Sequence, residues 1–217
     1  MVKHVGESTS QTLSNKTLGS DLNAGGYKIT NLAAPVNDND VARKIDVSAV
    51  GKWQVVYETT LNSDLAYIDI TGLDINTDKE YKLTVITRNT SSNNLHYFMY
   101  VNNDYTNSNY YAQSLSADGT SVAALRDNYP NLMTSWGNAN VYCNANLIRD
   151  ISGYPRAIIE EANRSGNSIS YVSYAWTKTA TVTNITSIRL SSQSGNNFSA
   201  GTYILICKPR GWLNGKS

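Results

Sequence analysis

The sequence has few charged residues, and the two signs nearly balance. Charged side chains make up 16% of the 217 residues, and 18 Lys and Arg against 17 Asp and Glu leave a formal net charge of +1. Intrinsic disorder is excluded, because it requires a high net charge and few apolar residues, and 41% of this chain is hydrophobic. A nucleic-acid binder that relies on a basic excess is excluded as well.

Cysteine, histidine and long apolar runs are also scarce. Two cysteines cannot form a disulfide framework, and one bridge and two free thiols both stay open. Cys143 and Cys207 lie in apolar, strand-like stretches, which favours buried thiols. No stretch approaches the roughly 18 consecutive apolar residues of a membrane span, and the start of the chain is not typical of a secretion signal. We expect no membrane insertion.

Catalytic patterns are missing too. His4 lies among the first residues, so a nucleophilic arrangement would depend on His96 alone, which opens an apolar segment and is expected to be structural. Adjacent Glu160 and Glu161 would point to opposite faces of a strand and could not flank one glycosidic bond as neighbours. The sequence therefore predicts a protein that is not an enzyme and that uses no cofactor.

Metal sites are equally poorly supported. Two distant cysteines and two histidines lack the paired spacing of zinc ligands. Asp74, Asn76 and Asp78 match the first positions of a calcium loop, but Lys79 stands where that loop needs glycine and Val85 where it needs glutamate. We expect a capped turn there, with a weak cation site as the alternative, and no metal elsewhere.

Asparagine and tyrosine are abundant instead. Asn is roughly an eighth of the chain, and 15 Tyr stand against 2 Phe. Asn favours turns, whereas Tyr, Val, Ile and Thr favour strands. Residues 51–210 are predicted to form a mostly β, jelly-roll-like β-sandwich head. Its ten candidate strands are 53–59, 67–70, 80–88, 95–101, 110–115, 141–148, 156–161, 169–176, 187–190 and 203–207.

The N-terminal part of the chain has a different character. Residues 1–20 show no periodicity, and we expect a flexible or locally ordered start there. Residues 21–50 contain a turn at Gly25-Gly26, a short extended piece, and then a helix over about 39–50. The apolar stripe of that helix is too short to hold a lone helix in water, so copies of this segment are expected to pack together. Residues 211–217 are expected to be a tail.

One motif in this N-terminal part resembles bacteriophage tail-fibre proteins. It comprises GYKITNL at 26–32, Pro35 and DVARK at 40–44, with Val41 and Ile45 departing from the usual residues. In those proteins such segments form intertwined trimeric necks ahead of a terminal knob. The resemblance implies a homotrimeric neck over residues 21–50, whose packing residues would be Tyr27, Ile29, Leu32, Val41 and Ile45. It implies a virion appendage, with other tail proteins as partners.

Aromatic residues in or beside the Asn-rich turns are candidate ligand contacts. Exposed Tyr and Trp offer flat apolar faces, and neighbouring Asn and Asp offer partners for hydroxyl groups, which is the chemistry of sugar recognition. Packing in the core or between subunits is the alternative role. The candidates are Tyr105, Tyr110, Tyr111, Tyr129 and Trp136.

Three functions are compatible with these features. The first is a tail-fibre tip that binds a host cell-surface polymer, a carbohydrate by the chemistry above, with avidity from three weak sites. The second is a purely structural virion component, such as a decoration, turret or collar protein, with no ligand. The third is a depolymerase or esterase, for which no catalytic group is found.

Overall fold

A computed structural model describes residues 34, 36, 53–118, 121–165, 168–195 and 197–210. Contacts divide the chain between Ser48 and Ala49, and every element described below belongs to the second unit. The expected neck residues Tyr27, Ile29, Leu32, Val41 and Ile45 lie outside the described residues, as do the expected helix over 39–50, the start over 1–20 and the tail over 211–217.

The described residues form two β-sheets. The small sheet has the spatial order β2 (Tyr67–Thr71), β11 (Ser187–Ser192), β4 (Leu95–Val101) and β7 (Asn131–Ser135). The large sheet has the order β1 (Trp53–Thr60), β12 (Tyr203–Pro209), β3 (Glu80–Arg88), β8 (Asn140–Arg149), β9 (Pro155–Ser165), β10 (Ser168–Lys178), β5 (Tyr110–Asp118) and β6 (Ser121–Asp127). Every pair of neighbouring strands is antiparallel.

The core lies between the two sheets and follows from the alternation of side chains along each strand. On β3, Tyr81, Leu83 and Val85 are buried, as the sequence predicts, and the residues between them are wholly or partly exposed. The small sheet contributes Tyr97, Met99 and other apolar residues of β4 to the same core. The fold is therefore mostly β and is consistent with a sandwich, which confirms the predicted class.

All ten predicted strand segments lie within strands of the structure, and two strands were missed. The missed β6 has the sequence SVAALRD, whose alanines and charged end favour strands weakly, and nearly all of it is exposed. The missed β7 has five residues and follows Pro130 directly, where turn residues hide the strand signal. Both strands prove central to the candidate site.

Turns are built as the Asn content predicts. Asn102, Asn103 and Asn138 have φ angles of 54°, 59° and 57°, in the left-handed region that Asn tolerates. The predicted capped turn at Asp74 is confirmed: its carboxylate accepts from the N–H groups of Asn76 and Thr77 and caps the short helix α1 (Ile75–Asp78). No helix among the described residues is long and apolar enough to cross a membrane.

The two cysteines are free thiols in the described structure. Cys143 is fully buried on β8, as expected, and burial raises its pKa well above the usual value. Cys207 on β12 is only partly buried, so the expectation of a buried thiol is wrong there. It pairs across the strands with Lys82 and Val55, on the outer face of the large sheet.

Candidate functional site

A polar cleft lies where the large sheet extends beyond the small one. The edge strand β7 of the small sheet contacts β8, β9 and β10, while β5 and β6 lie at the far end of the large sheet. Two hollows, of about 290 and 440 Å³, share His96, Leu125 and Asp127 in their walls and together form what we call the cleft. Volumes of this size are typical of small-ligand sites.

The floor of the cleft is a hydrogen-bonded cluster around Glu161. The N–H of Thr134, on the free edge of β7, donates to Oε2 of Glu161 over 2.8 Å. The hydroxyl of Tyr174 lies 3.1 Å from the same oxygen and 3.0 Å from the hydroxyl of Thr134. The amide of Asn163 donates to the carbonyl of Thr134 over 2.9 Å. The cluster thus satisfies an edge strand that would otherwise expose its backbone.

Glu161 is an unusual carboxyl group because it is 1% exposed and faces no cation in this cluster. Burial raises its pKa to about 7, although the N–H of Thr134 and the side chains of Tyr174 and Asn163 act to lower it. Its Oε1 and the Oδ1 of Asn163 have no hydrogen-bond partner. Both atoms are acceptors, and a proton on Oε1 of Glu161 would make that oxygen a donor.

The two adjacent glutamates behave as the strand alternation predicts. Glu161 is buried, whereas Glu160 points to the exposed outer face of β9. Glu161 lies beneath Thr134 and Tyr174 and does not itself line the cleft. The geometry therefore gives the carboxyl of Glu161 a structural position rather than a place beside a bound substrate.

His96 stands at the junction of the two hollows. Its Nδ1 lies 3.1 Å from the hydroxyl of Thr134, and its ring stacks in parallel over Phe98 with centroids 6.5 Å apart. Burial lowers the pKa of His96, against the opposing influence of the Asp127 carboxylate. The ring is therefore neutral at pH 7 and can form hydrogen bonds with uncharged groups.

Trp136 forms part of the wall of the larger hollow, and hydrogen bonds to the backbone of its turn hold that turn in place. The fully buried side chain of Asn89 donates to the carbonyls of Trp136 and Asn93, each over 2.9 Å. The N–H of Gly137 donates to Oδ1 of Asn94, and that of Asn138 to the carbonyl of Ser91. The turn that carries Trp136 is thus docked on the loop before β4.

Gly137→Ala is expected to destabilise this wall of the cleft. A Cβ at residue 137 would stand 2.1 Å from the carbonyl oxygen of Ser92, so one of the two backbones must move. We expect a loss of roughly 1–3 kcal/mol in the free energy of unfolding, measured by urea titration. Ser92→Gly should not rescue the variant, because the atom contacted belongs to the backbone. Rescue by Ser92→Gly would contradict this account.

Tyr129 closes the other end of the cleft. Its ring is 48% exposed and stacks on Phe98 with centroids 6.2 Å apart. Tyr129 also borders a third, open hollow outside the cleft, whose wall includes Arg126 and Asn128. Trp136 and Tyr129, two of the five candidate aromatics, therefore lie along one continuous cleft.

The other three candidate aromatics lie elsewhere. Tyr110 is completely buried against Trp176, which removes it from any ligand-binding surface in this structure. Tyr111 is partly exposed on β5, and the guanidinium of Arg126 lies over its ring at 5.2 Å. Tyr105 is 40% exposed, and its ring lies 4.0 Å from the guanidinium of Arg189.

Several residues of the cleft were not singled out from the sequence. They carry hydroxyl, amide or carboxyl side chains, and no sequence motif connects them. They comprise Ser114, Ser116, Asp127, Asn131, Thr134, Asn163, Ser170 and Gln193. The one sequence signal that could have indicated a polar cleft is the presence of polar residues at strand positions of β10, β9 and β5 that face the interior.

Comparison with protein-family models, with curated proteins and with solved structures finds no match to this chain. Function therefore has to be inferred from the motif, the fold and the geometry of the cleft.

Proposed function

We propose that this protein is the head of a phage-like tail fibre, a homotrimer that attaches the virion to a glycan on the host cell surface. The observation that carries the proposal is the cleft, in which Trp136 and Tyr129 accompany hydroxyl and amide side chains. Flat apolar rings beside hydrogen-bonding groups suit the faces and hydroxyls of a sugar. The protein acts by binding, and catalysis is not part of the proposal.

The strand order supports a jelly roll as the finer description of this head. Strands β1, β12, β3 and β8 neighbour one another in the large sheet, and β2, β11, β4 and β7 form the small one. Apart from β4 and β7, which follow one another within the small sheet, the chain alternates between these two sets. This path is consistent with a jelly roll that has two inserted hairpins, β5–β6 and β9–β10. Both insertions widen the large sheet, and together they build one wall of the cleft.

A row of exposed apolar and aromatic side chains supports assembly into a trimer. Cross-strand register places its members side by side on the outer face of the large sheet, from β12 to β6. The row consists of Tyr203, Ile86, Tyr142, Ala162, Tyr171, Ala117 and Val122. Tyr142 and Tyr171 are 45% and 48% exposed and Val122 is 72% exposed, and contiguous exposed apolar surface marks interaction sites.

The neck motif supplies the second argument for a trimer. Its few apolar residues are spaced as if for burial but are too few to form a core in one chain, and assembly supplies the missing core. A homotrimer would present three clefts on one head, and several fibres on one particle would multiply the effective affinity of weak sites.

The test combines mass and binding on the full-length chain. Light scattering on a sizing column should give about three times the 23.8 kDa of one chain. An array of bacterial surface polysaccharides should retain the protein, and Trp136→Ala and Tyr129→Ala should each weaken retention by roughly tenfold. Tyr111→Ala, outside the cleft, is the matched control and should leave retention unchanged.

Other outcomes separate the alternatives. A trimer that retains no polysaccharide and tolerates both cleft substitutions without loss of host adsorption would support a structural decoration or collar protein. A clean monomer would contradict the neck assignment. Loss of polysaccharide viscosity on incubation would revive a depolymerase.

A further inference from the structure

We propose that the cleft selects an uncharged saccharide, whose hydroxyl groups donate hydrogen bonds to carboxylate and amide oxygens of the walls, and that it rejects acidic sugars. The inference rests on the proposed function and adds the class of glycan. Three properties of the walls support it: their charge, the acceptor oxygens of their polar side chains, and their apolar surfaces.

The walls of the cleft contain no cation to pair with an acidic sugar. Among the described residues that line the two hollows, none is Lys or Arg, and Asp127 is the one carboxylate. His96 is held neutral at pH 7 by burial. The carboxylate of a uronic or sialic acid would therefore enter beside Asp127 without a counter-charge, and burying an unpaired charge is costly.

Acceptor oxygens concentrate where Asn131 meets Asp127 in the smaller hollow. The amide Nδ2 of Asn131 donates to Oδ2 of Asp127 over 2.8 Å, which identifies the opposite atom of that amide as Oδ1, an acceptor. Asn131 is 2% exposed, and its Oδ1 has no hydrogen-bond partner. The carboxylate of Asp127 lines both hollows and can only accept, so this side of the cleft favours a ligand that brings donors. Sugar hydroxyls are donors, whereas carboxylates are not.

Hydroxyl side chains and apolar surfaces complete the match to an uncharged sugar. The hydroxyls of Ser114 and Ser116 donate to backbone carbonyls of β6 over 3.4 Å, which leaves their oxygens as acceptors for the hydroxyls of a sugar. Phe98 and Tyr129 line the smaller hollow and Trp136 the larger, so each hollow has an aromatic wall beside its polar groups. This combination suits a pyranose, which has apolar C–H faces and a polar rim.

Arg126 offers the nearest competing attraction for an acidic glycan. It lines the third hollow, which adjoins the cleft at Asp127 and Tyr129, and its guanidinium stacks over the ring of Tyr111. Binding at Arg126 would produce the opposite selectivity, and Arg126→Ala would abolish it.

The experiment compares two panels of polysaccharides on the full-length protein at pH 7.5. One panel is neutral, with dextran, mannan and galactan, and the other is acidic, with polygalacturonate, hyaluronate and polysialate. We expect retention by at least one neutral polymer and at least tenfold weaker retention by every acidic one. Ser116→Lys, which adds a cation to the wall without removing an ionised group, should raise retention of acidic polymers by at least tenfold.

The outcomes keep this inference separate from the proposed function. Retention of acidic polymers alone, or of both classes equally, overturns the selectivity but leaves glycan binding in place, and loss on Arg126→Ala would then locate the site in the third hollow. Retention of no polymer in a trimeric, folded protein overturns both. Neutral retention that survives Trp136→Ala and Tyr129→Ala would also overturn the inference, because the ligand would lie outside the cleft.

Discussion

Asp104→Ala is expected to lower the free energy of unfolding by roughly 3–5 kcal/mol, because it leaves a buried ammonium group without its counter-charge. The side chain of Lys178 is 8% exposed, and its Nζ bonds the carboxylate of Asp104 while lying 5.0 Å from the centroid of the Tyr110 ring. Urea titration of the variant at pH 7 measures the loss.

Asp104 has a second role, because it organises the loop that carries Tyr105. Its carboxylate accepts from the amide of Asn109 and from the N–H of Thr106. Burial acts to raise the pKa of Asp104, but the bonds from Lys178, Asn109 and Thr106 outweigh it, and the net pKa is lowered. The contribution of this carboxylate is therefore present at neutral pH and is lost as the pH falls into the acid range.

An exposed ion pair provides the control. Asp69 is 42% exposed and accepts two bonds of 2.6 Å from Arg189, so Asp69→Ala should cost less than about 1 kcal/mol. The double variant Asp104→Asn with Lys178→Met removes both charges of the pair and should recover much of the loss seen in Asp104→Ala. A double variant as unstable as the sum of its single substitutions would contradict this explanation.

Glu161→Gln is expected to stabilise the protein at neutral and alkaline pH and to have a much smaller effect at pH 4. The pKa of Glu161 is about 7 in the folded protein against an ordinary value of 4.5, so the folded state holds the proton more tightly. Its contribution to stability is complete below about pH 4 and is lost as the pH rises through 7. A shift of this size corresponds to about 3 kcal/mol.

The measurement is the difference in free energy of unfolding between the wild type and Glu161→Gln, taken from pH 4 to pH 8. Because both proteins contain Asp104, its contribution to stability, which has the opposite pH dependence, cancels in the difference. Glu160→Gln, on the exposed face of the same strand, should change stability by less than about 0.5 kcal/mol throughout. If the difference in free energy between Glu161→Gln and the wild type did not vary with pH, the raised pKa of Glu161 in the folded protein would be refuted.

Local patterns predicted the strands that have one buried and one exposed face. The alternation of Tyr81, Leu83 and Val85 with polar residues already defined β3, because a two-residue period is a property of the strand itself. The missed β6 lacks that signal, since its apolar residues follow one another at 122–125 without alternation and nearly all of its side chains are exposed. An exposed strand of this kind is held by backbone hydrogen bonds to the neighbouring strand, and the local sequence pattern contains no information about those bonds.

The candidate site was predicted only in part. The search for aromatic residues in turns selected Trp136 and Tyr129, which line the cleft, and their ligand contacts stay a prediction. The same argument misplaced Tyr110, which stands at the end of the same Asn-rich stretch as Tyr105 but turns inward as the first residue of β5 and packs on Trp176. A tyrosine next to a turn is compatible with either position, and the choice depends on the strand that follows.

Composition and periodicity alone determined that this chain has a mostly β head with Asn-rich turns, because propensity and side-chain alternation are local properties. The cleft was decided by tertiary structure. Thr134 lies on β7 of the small sheet, whereas Glu161 and Tyr174 lie on β9 and β10 of the large sheet. The three meet because the edge of β7 lies across β9 and β10. Whether a glutamate on a strand is solvated or held neutral depends on what packs over it, which is a property of the assembled sheets.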